Sequence, residues 1–352
     1  MAYIKNMINV GVIGCGKIAQ VRHLPEYSDN ADANIAAVTS LNRERAEEVG
    51  RKYSARVYAT YEELLDDPAI DAVSVCTANA SHCAITVSAL KAGKHVLCEK
   101  PMATTLEDCE LMVRTASETG KRLMIAHNQR FAPAHITAKD LLGQGAIGEL
   151  LTFRTVFCHK GPESWTINPG DNWFFDADRA AFGVLGDLGV HRIDLLHYLT
   201  GGRITSVRAT LKTLDKKNHT GGKIGLDDNA LCIFEMDNGS TGTMAVSWTC
   251  YGPEENSTVL YGTQGVMRIY DDPAHSLIID KRDGSREIHC SDKAITNDNQ
   301  AKSGVIDSWI RSLVAGAPPE VPMEESLHAM KVIFAALDSS RTSGVSFCDS
   351  NC

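Results

Sequence analysis

An α/β fold with two domains is what the sequence predicts, and three observations support it. Residues 1–127 alternate short apolar runs with helical patterns, a glycine-rich turn follows the first run, and residues 128–352 contain longer, alternating stretches. A chain of 352 residues is too long for one ordinary core and suits two domains of about 100–200 residues each. The predicted domain boundary therefore lies at residue 127.

The first domain has the pattern of a parallel, doubly wound sheet. Short apolar runs typical of buried strands alternate with segments of helical length. The predicted strands are residues 8–13, 35–39, 72–76, 95–98 and 123–126. The predicted helices are residues 17–27, 43–53, 82–92 and 106–119. Right-handed crossovers would place these helices on both faces of the sheet.

The second domain is predicted to be α+β, with a large, mostly antiparallel open sheet. Its strand-like stretches show period-two alternation and turn signals such as Asp237-Asn238-Gly239. The predicted strands are residues 150–158, 204–211, 230–235, 240–249, 257–261 and 266–270. Helices are predicted at residues 132–142, 185–199 and 323–339. One face of such a sheet needs covering, which favours a homodimer or homotetramer.

Composition excludes several classes of partner. The 44 acidic and 35 basic residues give a net charge of −9, so we expect neither nucleic acid nor anionic membrane as a partner. No apolar run approaches the roughly 20 residues that span a bilayer, and residues 1–10 lack the features of a signal peptide. The 11 cysteines include no Cys-x-x-Cys pair, which favours reduced thiols in the cytoplasm and no metal site.

The glycine-rich turn has the form Gly-x-Gly-x-x-Ala. Gly14 would permit the tight turn after the first strand, Gly16 would let backbone amides approach a pyrophosphate, and Ala19 would let helix and strand pack closely. A helix N-terminus favours negative charge. Lys17 and Ile18, at the start of this helix, are therefore expected cofactor contacts. The motif predicts a Rossmann NAD(P)-binding domain.

The end of the second strand favours NADP over NAD. An NAD site usually has Asp or Glu here, bonded to the ribose 2′-hydroxyl. The strand instead ends in Ser40, and Asn42, Arg43 and Arg45 follow. A small hydroxyl with basic residues nearby suits a 2′-phosphate, which needs room, a donor and positive charge. The alternative is that Arg43 and Arg45 are solvated residues of an exposed first helical turn.

Two further segments have the residues needed for acid–base chemistry. One predicted strand ends in Glu99-Lys100-Pro101, so Lys100 would emerge at the sheet edge where ligands bind, unless it is an ordinary surface lysine. In the other segment, Asp187 and His191 are four residues apart on a predicted helix and share a face. The alternative for this segment is an N-cap aspartate and a buried structural histidine.

These segments together resemble the Gfo/Idh/MocA family, the group of glucose–fructose oxidoreductase and inositol dehydrogenase. The resemblance covers nearly the whole chain, from Val10 to about Phe347. The motifs that carry it are residues 14–19, 77–82, 99–101 and 186–194, with residues 261–265 similar to a family turn. One departure is Ala78, which stands where the family usually has proline.

The resemblance implies roles for individual residues. Lys100 and His191 would form the catalytic pair, and Asp187 would hold the substrate and orient the pair. Arg130 follows the last strand of the first domain and is a possible substrate contact. The residues implied near the cofactor are Thr77, Asn79, His82, Glu99 and Lys100. The segment from Ser40 to Arg45 resembles that of the NADP-using members.

The expected function is that of an NAD(P)-dependent dehydrogenase or reductase acting on CH–OH groups of a sugar, cyclitol or related polyol. Lys100 would donate a hydrogen bond to the carbinol oxygen while His191 takes the hydroxyl proton. Two alternatives remain open. One is a redox-assisted NAD-dependent glycosidase, and the other is a non-catalytic regulator, which would not need Lys100, Asp187 and His191 together.

Residues 159–178 hold the expected substrate-facing aromatic side chains. Aromatic faces suit the CH faces of a pyranose or cyclitol, although the same rings could pack under a loop or at a subunit interface. The aromatic residues are Trp165, Trp173, Phe174 and Phe175. Trp173 joins Arg130, Asp187 and His191 as an expected substrate contact. Nothing in the sequence separates inositol from glucose, xylose, an anhydrosugar or a dihydrodiol.

Overall fold

The computed structural model describes residues 7–167, 172–290 and 302–348. The chain divides into two units. The first contains the described residues within Met1–His127, Trp165–Trp173 and Lys302–Leu327, and the second contains those within Asn128–Ser164, Phe174–Ala301 and His328–Cys352. The first unit thus includes a segment, 302–327, that the predicted boundary at residue 127 assigns to the second domain. Residues 1–6, which are part of the stretch predicted to lack signal-peptide features, lie outside the described residues.

The first unit contains a six-stranded parallel sheet in the order β3-β2-β1-β4-β5-β6. Its strands are β1 Ile8–Ile13, β2 Ala33–Thr39, β3 Arg56–Val57, β4 Ala72–Val75, β5 His95–Cys98 and β6 Leu123–Ile125. The helices between them are α1 Leu24–Asp29, α2 Arg43–Tyr53, α3 Tyr61–Leu65, α4 His82–Lys91 and α5 Leu106–Thr119. A π-helical turn, Ala19–His23, precedes α1. The predicted doubly wound fold is confirmed, while β3 and α3 were not predicted.

Local sequence explains where these elements begin. Side chains of Asn42 and Thr105 accept hydrogen bonds from backbone N–H groups in the first turns of α2 and α5, which is N-capping. The central strands are apolar because helices cover both faces, and Val10 and Val73 are fully buried. Gly120 ends α5 in the left-handed conformation that glycine adopts without strain.

The second unit is built on a nine-stranded sheet in the order β14-β13-β12-β11-β7-β10-β9-β8-β15. The longer strands are β7 Leu150–Cys158, β8 Ile204–Lys212, β9 Asn229–Met236, β10 Thr241–Ser247 and β11 Glu255–Gly262. The shorter strands are β12 Gly265–Ile269, β13 Leu277–Lys281, β14 Arg286–Cys290 and β15 Ser346–Phe347. β7 and β10 pair in parallel and the other pairs are antiparallel, so the predicted mostly antiparallel sheet is confirmed.

The helices of the C-terminal half include two that the sequence did not predict. They are α6 Pro133–Gly143, α7 Ala177–Ala180, α8 Val190–Thr200, α9 Val305–Ala315 and α10 Met323–Thr342. A second π-helical turn, Leu185–Gly189, runs directly into α8. The unpredicted helices are α7 and α9, of which α9 belongs to the first unit and packs against α1 and β1.

One face of the second sheet presents apolar side chains to solvent. In β9 the exposed and buried residues alternate strictly, as expected of a strand with one covered face. Leu231 and Ile233 on this strand are 61% and 55% exposed. Apolar side chains gathered on one face of a sheet are typical of a surface that a partner covers.

Candidate active site

The predicted cofactor residues of the first unit lie at one edge of its sheet. Gly14 follows β1, Ser40 follows β2, Thr77 lies just past β4, and Glu99 and Lys100 follow β5. All these strands are parallel, so their carboxyl ends meet at the same edge. In open α/β sheets this edge is where ligands bind.

The glycine turn has the geometry that a dinucleotide site needs. Gly14 has a φ of +95°, and a Cβ there would lie 2.6 Å from the carbonyl oxygen of Cys76. A Cβ on Gly16 would meet nothing nearer than 4.0 Å, so the backbone at this position is open to a ligand. Ala19, at the start of the π-helical turn, is fully buried. The residues present therefore fit a pyrophosphate at the turn.

The turn after β2 combines helix capping with positive charge. The side chain of Asn42 accepts a hydrogen bond from the backbone N–H of Arg45 at 2.9 Å. Arg43 forms an ion pair with Glu47 at 2.8 Å, with both side chains about half exposed. The charge of Arg45 acts on the Cys15 thiol in the glycine turn, where it opposes the effect of burial, which raises the Cys15 pKa to about 11. The positive charge of Arg45 thus acts at the glycine turn.

The turn after β4 is held by a buried histidine. The two ring nitrogens of His82 lie 2.8 Å from the carbonyl oxygen of Pro101 and 3.2 Å from that of Thr77. Burial lowers the His82 pKa. Asn79 is 8% exposed and begins a single 3₁₀ turn. His82 therefore connects the turn after β4 with the turn that carries Lys100.

Glu99 is a buried carboxylate directly before the predicted catalytic lysine. Its Oε1 lies 2.9 Å from His23 Nε2, and its Oε2 accepts a hydrogen bond from the backbone N–H of Lys100 at 3.2 Å. Burial opposes ionisation, but His23, Arg22 and Lys100 outweigh it and lower the Glu99 pKa to about 2. Glu99 is thus ionised, and Lys100 follows it with its side chain partly exposed.

In the second unit, Asp187 lies in the π-helical turn before α8 and is bound by a tryptophan. The indole Nε1 of Trp248 donates to Asp187 Oδ2 at 3.2 Å, and Trp248 is fully buried. The ring of Phe175 packs on Trp248 with 5.9 Å between centroids. Trp248 was not singled out in the sequence, because it lies 61 residues from its partner.

A second aspartate fixes the backbone of this turn. The carboxylate oxygens of Asp227 accept hydrogen bonds from Gly183 N–H at 3.1 Å and Leu185 N–H at 2.8 Å. A Cβ on Gly183 would lie 1.9 Å from the backbone oxygen of Asp227, so only glycine fits there. Burial raises the Asp227 pKa. Trp248 and Asp227 therefore hold the side chain and the backbone of the segment that carries Asp187.

His191 begins α8 beside an aromatic ring and a buried cation. It is 7% exposed, and its ring centroid lies 6.1 Å from that of Phe157. The Arg192 guanidinium lies 5.3 Å from the centre of the same ring and is fully buried. Burial lowers the Arg192 pKa to about 9, and the charge of Glu254 acts in the opposite direction. Arg192 is thus a cation held in the core next to His191.

Arg130, a predicted substrate contact, has a buried carboxylate partner. Its Nε and Nη2 donate to the two oxygens of Asp194 at 2.8 and 2.6 Å, and the side chains are 3% and 2% exposed. The guanidinium also lies 5.3 Å from the ring centre of Tyr198. This bidentate geometry is the strong form of an arginine–carboxylate pair. It orients Arg130 within the second unit.

The aromatic segment is described except for residues 168–171. The Lys17 ammonium lies 6.0 Å from the ring centre of Trp165. Trp173 and Phe175 are partly exposed, and Phe174 is 9% exposed. That part of the predicted substrate segment which falls at 168–171 lies outside the described residues.

Other features of the described residues concern metals, cysteines and membranes. Within 7–167, 172–290 and 302–348, no group of three or more His, Cys, Asp or Glu side chains could hold a metal ion. The ten cysteines in these ranges are free thiols. None of the described helices is both long and apolar enough to cross a bilayer.

The first unit has a Rossmann sheet with an open glycine turn. The second unit carries an aspartate and a histidine on one helical segment. Together these features define a nucleotide-binding oxidoreductase. Comparison with known families agrees with this class. Residues 8–127 match the model described as oxidoreductase family, NAD-binding Rossmann fold, and residues 135–268 match the GFO/IDH/MocA C-terminal domain. The chain belongs to the Gfo/Idh/MocA family, as its motifs predict.

Its relatives include dehydrogenases of cyclitols and sugars. An inositol 2-dehydrogenase/D-chiro-inositol 3-dehydrogenase of Shouchella clausii is 31% identical, over 79% of this chain and 76% of the relative. An NADP⁺-type scyllo-inositol 2-dehydrogenase of Bacillus subtilis is 28% identical, over 95% of this chain and 94% of the relative. A levoglucosan dehydrogenase solved with NADH and levoglucosan has the same fold, with a TM-score of 0.86 at 24% identity, covering 97% of this chain and 99% of that one.

Proposed function

We propose that the chain oxidises a secondary hydroxyl of a sugar, cyclitol or related polyol, or reduces the matching carbonyl. The observation that carries the proposal is the position of Lys100, which follows a parallel strand at the same sheet edge as the glycine turn. Its neighbour Glu99 is buried and ionised. The named activities of the inositol and levoglucosan dehydrogenases support the same class of substrate.

In the proposed chemistry, one side chain donates a hydrogen bond to the reacting oxygen and another transfers the proton. When bound, the nicotinamide supplies the hydride acceptor or donor. The Lys100 ammonium donates a hydrogen bond to the carbinol oxygen, and His191 takes the hydroxyl proton in oxidation or returns it in reduction. Asp187 accepts a hydrogen bond from the substrate, while Trp248 donates to its Oδ2. General acid–base help of this kind is worth roughly 10²–10⁴ in rate.

Replacing Lys100 with Met tests this assignment. We expect the Lys100→Met variant to lose about 10²–10⁴ in turnover while it still binds the dinucleotide, since the glycine turn is untouched. The assay follows absorbance at 340 nm with a panel of inositols, hexoses, pentoses and anhydrosugars. The Lys91→Met variant is the matched control, because Lys91 is an exposed residue at the end of α4. Wild-type turnover in Lys100→Met would refute the role, and product without a stoichiometric 340 nm change would indicate a glycosidase.

We propose that NADP is preferred over NAD. No carboxylate ends β2, Ser40 is partly exposed at that point, and Arg43 and Arg45 stand in the first turn of α2. The charge of Arg45 also opposes the effect of burial on the Cys15 pKa, so positive charge acts at the glycine turn. The NADP⁺-type relative agrees with this preference. Asn42 contributes by capping the helix that carries the two arginines.

Arginine substitutions separate the 2′-phosphate contribution from general charge. Removing Arg45 as Arg45→Met should weaken NADP binding by about tenfold and leave NAD binding unchanged, because hydrogen bonds to charged groups are worth about 1.5–3 kcal/mol. Arg51→Met is the control, since Arg51 is exposed at the far end of the same helix. Equal losses for NADP and NAD, measured by fluorescence titration, would argue against a 2′-phosphate site.

We also propose a homodimer or homotetramer in the cytoplasm. The exposed apolar residues Leu231 and Ile233 support self-association through the open sheet face. The free thiols of the described residues support a reducing compartment. Light scattering after gel filtration measures the oligomeric state, and Ile233→Glu should shift it towards monomer. A monomeric wild-type protein would contradict the proposal.

A further inference from the structure

A chain of buried hydrogen bonds in the first unit ends at the carboxylate before Lys100. Tyr27 Oη lies 2.7 Å from Ser74 Oγ, which lies 3.2 Å from His23 Nδ1, and His23 Nε2 lies 2.9 Å from Glu99 Oε1. Tyr27, Ser74 and His23 are all 0% exposed, and Glu99 is 4% exposed. Because Glu99 also accepts the backbone N–H of Lys100, the chain reaches the proposed catalytic residue.

The direction of these hydrogen bonds follows from the donors available. Among the described residues, the acceptor within reach of the Tyr27 hydroxyl is Ser74 Oγ, and the neighbouring Trp309 indole can only donate. Tyr27 therefore donates to Ser74, and Ser74 donates to His23 Nδ1. The His23 proton then resides on Nε2, where it is donated to Glu99. The position of the His23 proton is thus determined by the residues behind it.

The environment of Glu99 favours its charged form. Burial opposes ionisation, but the His23 N–H and the charges of Arg22 and Lys100 prevail and lower the Glu99 pKa to about 2. The titratable and charged groups that face Glu99 are Arg22, His23, Cys76, Cys98, His82 and Lys100. Losing the His23 donor would leave a buried carboxylate with one hydrogen bond fewer, which favours protonation.

We propose that His23 is a positioning residue for Lys100, acting through Glu99. It orients the carboxylate whose second oxygen accepts the hydrogen bond of the Lys100 backbone N–H. The chain ends at a fully buried tyrosine, so it conducts no proton to solvent. The inference rests on the proposed function, since Lys100 is the catalytic group of that proposal.

Two variants at position 23 distinguish this role from simple packing. His23→Gln keeps an N–H close to the position of Nε2, whereas His23→Leu fills the space without a donor. We expect turnover within about threefold of wild type for the Gln variant and a loss of about tenfold or more for the Leu variant, with an unchanged KM for the dinucleotide.

Substituting Glu99 supplies the coupling test. In a Glu99→Gln background, His23→Leu should lower turnover no further, because the group it acts through is already gone. Equal losses in both backgrounds would mean that His23 only packs the core and would overturn the inference.

A measurement without turnover separates this inference from the proposed function. Hydrogen exchange of the Lys100 amide, followed by NMR or by mass spectrometry of short peptides, should be at least about tenfold faster in His23→Leu than in His23→Gln. Unchanged protection in both variants would contradict the link from His23 to Lys100. If wild type turned over no polyol, the proposed function would fail, and this exchange comparison would still decide whether His23 positions Lys100.

Discussion

Arg130 and Asp194 form the pair whose disruption the structure predicts in most detail. The two side chains are 3% and 2% exposed and share two hydrogen bonds of 2.8 and 2.6 Å. Replacing Arg130 with Met keeps most of its aliphatic bulk against Tyr198 but leaves the Asp194 carboxylate without these donors. Breaking one side of a buried ion pair costs about 3–5 kcal/mol.

The expected loss is large enough to measure by calorimetry. For a unit of about 150–250 residues, each kcal/mol lost from the free energy of unfolding lowers the midpoint of thermal unfolding by about 2–4 °C. Arg130→Met should therefore unfold about 10 °C or more below wild type. Asp194→Leu should be similarly destabilised, because it removes the buried carboxylate to which the guanidinium donates two hydrogen bonds. The double variant should recover most of the loss, since two apolar side chains replace the pair without a buried charge.

The same variants decide between two roles for Arg130. A structural pair predicts a lower midpoint for Arg130→Met, strong coupling in the double variant and a KM for the polyol within about threefold of wild type. The reasoning is refuted if Arg130→Met unfolds within about 1 kcal/mol of wild type while its KM for the polyol rises tenfold. That result would support the role of substrate contact that the sequence suggests.

Two further predictions concern a buried arginine in the second unit and a partly buried histidine in the first. Arg192 is 0% exposed and lies on the Phe157 ring, and its guanidinium nitrogens have no hydrogen-bond partner among the described residues. Arg192→Met should therefore keep the free energy of unfolding or raise it by about 1–2 kcal/mol. A clearly lower free energy of unfolding, measured by urea denaturation, would contradict this. The His95 pKa is lowered from 6.5 to about 4 by burial and the charges of Lys121 and Arg122, so protonation favours the unfolded chain and stability falls as pH drops from 6.5 to 4. His95→Asn, which can still accept the Arg122 N–H, should flatten that part of the stability–pH curve, and an unchanged slope would argue against it.

Regular elements could be predicted because their signals are local. The predicted helices 43–53 and 106–119 and the strands 95–98 and 150–158 coincide with α2, α5, β5 and β7. Apolar periodicity and capping residues lie within each of these segments, so no distant partner is needed to recognise them. The strands β13 and β14 were missed because five residues with a polar end carry little periodic signal. The π-helical turns have no pattern of their own in the sequence.

The supports of the candidate site depend on contacts between residues far apart in the chain. The motifs identify Lys100, Asp187 and His191, because each motif is contiguous. Their supports come from elsewhere: His23 lies 76 residues before Glu99, and Trp248 lies 61 residues after Asp187. No spacing rule relates such residues, since the fold alone brings them together.

The separation in sequence between the motif residues and the residues that support them affects specificity and rate. A motif can be kept while its supports change, so two chains with the same lysine, aspartate and histidine can orient those groups differently. In this chain the carboxylate of Asp187 has one oxygen bound to Trp248, and its backbone turn is held by Asp227. Trp248→Phe would free that oxygen while keeping an aromatic ring against Phe175. Small displacements of a catalytic group can lower the rate about 10²-fold. We therefore expect this variant to lower kcat/KM for the polyol far more than it lowers dinucleotide affinity. Parallel losses in both would show that the tryptophan supports the whole fold instead.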